Sequence, residues 1–308
     1  MTVAAYLRQW LQGKAPDLER STFEAYQIYL EKHIIPYFNE LNKPLEALRP
    51  LDIKGYVTAK RISGRQDGRP GGLSAVSVRK HLNVIKQALR EAVLYEILPA
   101  SPAEPVKLPP AQDLSPQAKF ISLPQSKEIL AAFEGHYLYP LVLVTLYYGL
   151  RRSEVLGLRW SAVDFAAKEV RIVRTVVKNV TIVEKDRTKT VSSRRTFPLV
   201  SDVAKVLQQM KPGKADGYIF ARGDGRPLRP DTVTKGFQRV LKAHNLPPMR
   251  FHDLRHATAS ILFDQGWSIV DVQTWLGHAD IETTKNIYIA YNATRKVKMG
   301  GTLDGLFK

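Results

Sequence analysis

Residues 251–260 read FHDLRHATAS, placing His252, Arg255 and His256 at the opening of a helix. Helical spacing puts His252 and Arg255 on one face at i,i+3, with His256 on the same side at i,i+4. Asp253, near the helix start, complements the dipole. Leu254, Ala257, Ile261 and Leu262 form the expected buried face. Three readings compete here: an ordinary polar helix start, a metal site on the two histidines, or an anion site where imidazole and guanidinium meet one phosphate.

The metal reading is the weakest. His252 and His256 have the spacing of a zincin helix, but the general-base Glu beside the first His is missing. The chain has no cysteine, so thiolate zinc sites, thiol nucleophiles and disulfides are excluded. No G-x-x-x-x-G-K-[ST] phosphate loop occurs, and no G-x-G-x-x-G follows a strand. The charge favours an anion. Forty-six Lys and Arg against 29 Asp and Glu give the 308 residues a net +17, a field that attracts polyanions such as nucleic acid. The longest apolar run, YLYPLVLVTLYYGL at 137–150, is too short for a bilayer and reads as a buried helix. The start, MTVAAYLRQWL, lacks the layout of a signal peptide. A cytoplasmic protein facing nucleic acid is expected.

Outward from this stretch, the chain divides at PASPAEPVKLPPAQDLSP, 99–116, whose proline density favours an extended connector. The part before it reads as helices. Thr2 can cap VAAYLRQWL, Ser21 and Glu24 form a capping-box pattern, PLDIKGYVTAKRI is a third helix, and Ser74 opens the longest one. The part after it mixes elements. Helices are expected at 124–134, 138–149, 152–159, 201–211, 231–244, 252–265, 268–276 and 280–290. The Val/Ile/Thr-rich 168–200 alternates with period two and reads as two or three antiparallel strands.

Three further stretches carry chemistry. In YYGLRRSEVLGLRW, 147–160, Arg151 follows a buried helix and so sits at the core's rim, where Glu154 can hold it. In EKDRTKTVSSRRTFPL, 184–199, basic residues gather at an expected hairpin tip, where a lysine can reach into a cleft. In TWLGHADIETTKNIYIAY, 274–291, His278 follows a helix-ending Leu-Gly and Tyr288 comes ten residues later. Each has a plain structural alternative: an ion pair, a solvated turn, a capping His and a core Tyr.

GLRRSE, TKTVSSRRTFPL, HDLRH and LGHADIETTKNIY stand in the order and spacing of the tyrosine recombinases, the phage-integrase family, and the sequence resembles that family over about two-thirds of its length. The wording is most similar to integrases of conjugative transposons and prophages. The resemblance implies an α+β, mainly helical fold forming a clamp on DNA. Its parts would be a core-binding, SAM-like helical bundle at 1–98, a proline-rich linker at 99–118, a mixed catalytic domain with a small antiparallel sheet at 119–298, and a tail at 299–308 that docks on a neighbouring subunit. The core-binding pattern begins at Thr2, so the arm-binding domain of many such integrases is expected to be absent or removed.

Residue by residue, the resemblance makes Arg151 and Arg255 the catalytic arginines, Glu154 the acidic support and Lys189 the hairpin lysine. His252 pairs with Arg255, His278 takes the His/Trp position, and Tyr288 is the nucleophile. His256 is read as supporting. It implies double-stranded DNA and a homo-tetramer as partners, an accessory directionality factor, and no metal or other cofactor. The chemistry agrees. Two guanidiniums can clamp the non-bridging oxygens of a phosphodiester with paired hydrogen bonds. A phenol of pKa near 10 needs a base such as His252. His278 can donate to a phosphate oxygen, Lys189 can protonate the leaving 5′-oxygen, and a phosphotyrosine conserves the broken bond's energy. Tyr147, Tyr148 and Tyr291 are the rival phenols. A type IB topoisomerase-like enzyme and a non-catalytic DNA-binding protein are the alternative functions.

Overall fold

A computed structural model describes residues 1–107, 121–178, 182–185, 195–210, 217–277, 284–285, 287–289 and 291–292. The chain forms two compact units, Met1–Pro116 and Gln117–Lys308.

The first unit is helical. Thr2 caps α1 (Val3–Lys14) by accepting from the Ala5 amide. Helix α2 (Arg20–Tyr29) begins before Ser21, so the Ser21–Glu24 capping box does not form, and Glu24 instead accepts from Arg20 Nε at 3.1 Å. A π turn at Leu30–Ile34 carries the chain into α3 (Ile35–Leu41). Helix α4 spans Pro50–Ser63, and Ser74 caps α5 (Ala75–Leu94). Leu7, Ile34, Ile53, Tyr56 and Ile85 fill the core. The proline segment is not a free spacer throughout. Ala103 and Val106 are buried in this core, and Arg90 pairs with Glu104, so the chain leaves the unit later than residue 98.

The second unit is built around α7 (Tyr139–Tyr148), apolar on every side and buried from Leu141 to Leu146. Helix α6 (Leu123–Ala132) opens with a Ser122–Gln125 capping box. Helix α8 is short, Arg152–Leu156. The strand region is richer than two or three strands. β1 (Val163–Asp164), β2 (Glu169–Ile172) and β5 (Arg195–Pro198) form one antiparallel sheet in the order β1-β2-β5. β3 (Thr175–Lys178) and β4 (Ile182–Lys185) form a separate antiparallel pair. Helices α9 (Ser201–Met210), α10 (Pro230–Ala243), α11 (Asp253–Asp264) and α12 (Ile269–Leu276) complete the unit. Residues 284–285, 287–289 and 291–292 are also helical.

Helix α11 lies on α7, where Thr258 Oγ1 donates to the Leu146 carbonyl at 2.8 Å. It is enclosed more fully than an amphipathic reading allows: Arg255, Thr258, Ala259 and Ser260 are buried with Leu254 and Ala257, whereas Ile261 and Leu262 are only half-buried. Helix α7 ends at Gly149, in the left-handed region at φ 61°. A Cβ there would lie 2.3 Å from Leu276 Cδ2, so this corner is closed to larger residues.

Inside the first unit, buried His81 shares a hydrogen bond with the Tyr56 hydroxyl at 2.8 Å and meets Tyr29 and His33 in tilted ring contacts, each at 4.9 Å. Burial first, then His33 and Lys60, push its pKa down from 6.5 to about 4. The folded state thus favours the neutral ring. The stabilisation is complete above pH 6.5 and is lost as pH falls towards 4, up to about 3 kcal/mol. Urea unfolding of the first unit, followed from pH 7.5 to 4.5, should show this loss, and His81→Gln should flatten it.

Candidate active site

The site is assembled on one buried carboxylate. Gly149 ends α7, Arg151 is extended, and α8 starts at once, so Glu154 folds back on its own N-cap. Its Oε2 accepts from the Arg151 amide at 2.8 Å and its Oε1 from Arg151 Nη1 at 2.7 Å. Strand β5 brings Arg195 Nη2 to Oε2 at 2.9 Å, and α11 brings Arg255 Nη1 to 3.9 Å from the same oxygen. Among the described residues, three guanidiniums thus surround one carboxylate, and the cluster keeps a positive excess. A buried positive excess is a place for an anion.

The arginines are also tied to helix ends. Arg255 Nη1 donates to the Gly149 carbonyl at 2.6 Å and Nη2 to Leu276 at 2.5 Å. Arg151 Nη2 donates to the Gly277 carbonyl at 3.2 Å. The carbonyls left over at the ends of α7 and α12 therefore orient the guanidiniums, and Gly277, left-handed at φ 64°, turns the chain there. The two arginines differ in access. Arg255 is fully buried, not on an open face, whereas the Arg151 side chain is 34 % exposed. Burial, then Arg151, hold the Arg255 pKa below its usual value, with Glu154 opposing.

His252 immediately precedes α11, is exposed, and meets His256 edge to face at 5.3 Å. Asp253 anchors this helix start, accepting from the Arg250 amide at 2.7 Å and from Arg250 Nη2 at 2.8 Å. His252 is exposed by surface area, yet the protein around it desolvates the ring, and His256, Arg255 and Arg151 repel a proton. Its pKa is held below the ordinary imidazole value by these causes in that order. At neutral pH His252 is an uncharged base beside a positive cluster.

The phenols separate by environment. Tyr147 donates to Asp202 at 2.6 Å, Tyr148 to the Pro198 carbonyl at 3.1 Å, and Tyr291 to the Phe263 carbonyl at 3.4 Å. Tyr288 is 37 % exposed, and its hydroxyl makes no hydrogen bond among the described residues. Among the described residues, the ring contacts of Tyr288 are with Phe263 and Tyr291. Its ring packs on Phe263 at 5.1 Å, and Phe263 lies about two turns along α11 from Arg255. Lys189 and His278 lie outside the described residues.

Arg195 was not singled out from the sequence. A signal existed: strand period two puts it on the same face as Phe197, which is buried, so the arginine points inward.

Comparison with known proteins agrees with this architecture. The Phage integrase family profile matches residues 119–295, and the profile of its N-terminal SAM-like domain matches residues 2–60. A tyrosine recombinase XerC-like protein of Caldanaerobacter subterraneus is 29 % identical over 265 residues, covering 77 % of this chain and 68 % of that protein. The ICEBs1 integrase of Bacillus subtilis is 26 % identical over 312 residues, covering 94 % and 79 %. Among solved structures, the Tn1549 transposon integrase in complex with a circular intermediate DNA superposes with a TM-score of 0.75 at 20 % identity, covering 96 % of this chain and 99 % of that one. The lambda integrase tetramer bound to a Holliday junction gives 0.68 at 19 % identity, covering 91 % and 78 %. Two family profiles thus coincide with a carboxylate-centred arginine cluster on a mainly helical frame, and the chain belongs to the phage integrase family of tyrosine recombinases.

Proposed function

We propose that this chain is a site-specific DNA recombinase that cleaves and rejoins strands through a 3′-phosphotyrosine, integrating or excising a mobile element. The observation that carries the reading is the convergence of Arg151 and Arg255 on Glu154, with His252 at the entrance of α11. A scissile phosphate is anionic and gains charge on its non-bridging oxygens during attack. Fixed guanidiniums stabilise that charge without reorganising, each donor contributing about 3–4 kcal/mol.

The reaction balances on these residues. The Tyr288 oxygen attacks phosphorus and its proton goes to His252. The bond from phosphorus to the 5′-oxygen breaks, and that oxygen takes a proton from Lys189. His278 donates to a phosphate oxygen. Rejoining reverses the steps, with a 5′-hydroxyl displacing Tyr288. Because Tyr288 rests on Phe263, cleavage includes its transfer to the arginine cluster. Tyr288 is favoured over Tyr147, Tyr148 and Tyr291 because their hydroxyls are held by internal acceptors.

The partner is double-stranded DNA, gripped by the core-binding unit and the catalytic unit. The net +17 and the DNA-bound structures of similar integrases support this. The active assembly is a homo-tetramer in which the tail at 299–308 docks on a neighbour, with an accessory factor setting direction. The reaction takes place in the cytoplasm, at the nucleoid. No helix among the described residues is long and apolar enough to cross a membrane.

Three outcomes test the reading. On a nicked suicide duplex in EDTA the native chain should form a covalent adduct; Tyr288→Phe should form none while retaining half-site binding. The pH profile of the second-order rate of adduct formation reports the free enzyme's base. Since the His252 pKa is lowered, its acid limb should fall below pH 6.5 and disappear in His252→Gln. Deleting 302–308 should leave half-site binding intact and weaken synapsis, as read by two-duplex gel complexes.

A further inference from the structure

Arg195 has no part in the reaction just described, yet its side chain is only 7 % exposed and lies against the site's central carboxylate. It bonds Glu154 through Nη2, and its guanidinium lies over the Phe197 ring at 5.4 Å. Its Nε and Nη1 are buried and meet no hydrogen-bond partner among the described residues. A guanidinium buried with two donors unsatisfied is costly. Within the described residues, Glu154 is what it gains for that cost.

The geometry around Glu154 states what the contact does. Oε1 is taken by Arg151, and Oε2 is shared by the Arg151 amide and Arg195. Arg255 Nη1 stands 3.9 Å from that same Oε2, beyond hydrogen-bond range, and donates to the Gly149 carbonyl instead. Without Arg195, Oε2 would lose a cation and attract the next one, Arg255. A bond to Glu154 would turn Arg255 away from a phosphate and cancel its charge.

We propose that Arg195 is a positioning residue for strand cleavage: by occupying Oε2 of Glu154 it keeps that carboxylate from capturing Arg255. This rests on the recombinase reading above. Arg195 also holds the charge of the cluster. Three guanidiniums and one carboxylate leave the same excess as two guanidiniums and a neutral amide, so Arg195→Met combined with Glu154→Gln restores the native charge.

The test is a four-cornered cycle on the suicide duplex, with adduct formation measured at saturating DNA, and melting temperature and half-site binding measured beside it. Arg195→Met should slow adduct formation about 10²-fold, the scale of one lost transition-state donor, with half-site binding kept. Adding Glu154→Gln should recover about ten-fold of that loss, the size of coupling found between groups in contact. Arg195→Lys, which still offers Oε2 a cation, should lose less than about ten-fold. The Lys and double variants carry the test if Arg195→Met melts below the assay temperature. A native rate in Arg195→Met overturns the inference. So does a loss that follows the melting temperature and is merely additive with Glu154→Gln, or a loss in Arg195→Lys equal to that in Arg195→Met. A native chain that forms no adduct overturns the recombinase reading itself, whereas these results overturn only the role of Arg195.

Discussion

The catalytic unit depends on the Glu154 carboxylate. It is 1 % exposed, yet Arg151 just before α8, Arg195 on β5 and Arg255 on α11 each send a guanidinium or an amide towards it. Removing one partner from such a buried network leaves charge uncompensated, at a cost of about 3–5 kcal/mol. The ion pairs are therefore also the joints of the fold. Arg255 extends the same logic, joining the end of α7 to the end of α12 through the Gly149 and Leu276 carbonyls. A helix end buried without such donors would be unstable.

On the reading proposed above, stability and chemistry are carried by the same bonds. Helix α7 has no polar face, so it must sit in the middle of the unit, and its C-terminal carbonyls necessarily emerge inside the protein. Arginines that satisfy them are fixed in place before any substrate arrives. That rigidity is what electrostatic stabilisation of a transition state requires. Gly149 and Gly277 make the approach possible, because both adopt left-handed backbone where a side chain is unfavourable.

Much of this is legible in the residues themselves. Ser74, Thr2 and Ser122 mark helix starts through local side-chain bonds, and Arg151 with Glu154 forms its pair within one turn. Such features depend on near neighbours. The sequence says less where distant segments meet. Ser21 looks like a cap, yet α2 starts at Arg20, and Glu24 pairs with Arg20 one turn away instead of closing a box with Ser21. Ala103 and Val106 follow prolines but are drawn into the first core by apolar burial. The spacing puts Arg255 on one helix face with His252 but does not show that it is buried, because the carbonyls it serves lie 106 and 21 residues away. Arg195 escaped notice for the same reason: its partner is 41 residues back along the chain. The placement of Tyr288 on Phe263 is set by side-chain packing, which no motif records.

The perch of Tyr288 on Phe263 has an energetic meaning. An aromatic contact of this kind is worth about 1 kcal/mol. That is a bias of roughly five-fold. On the recombinase reading proposed above, the phenol rests on a contact weak enough for DNA binding to release it.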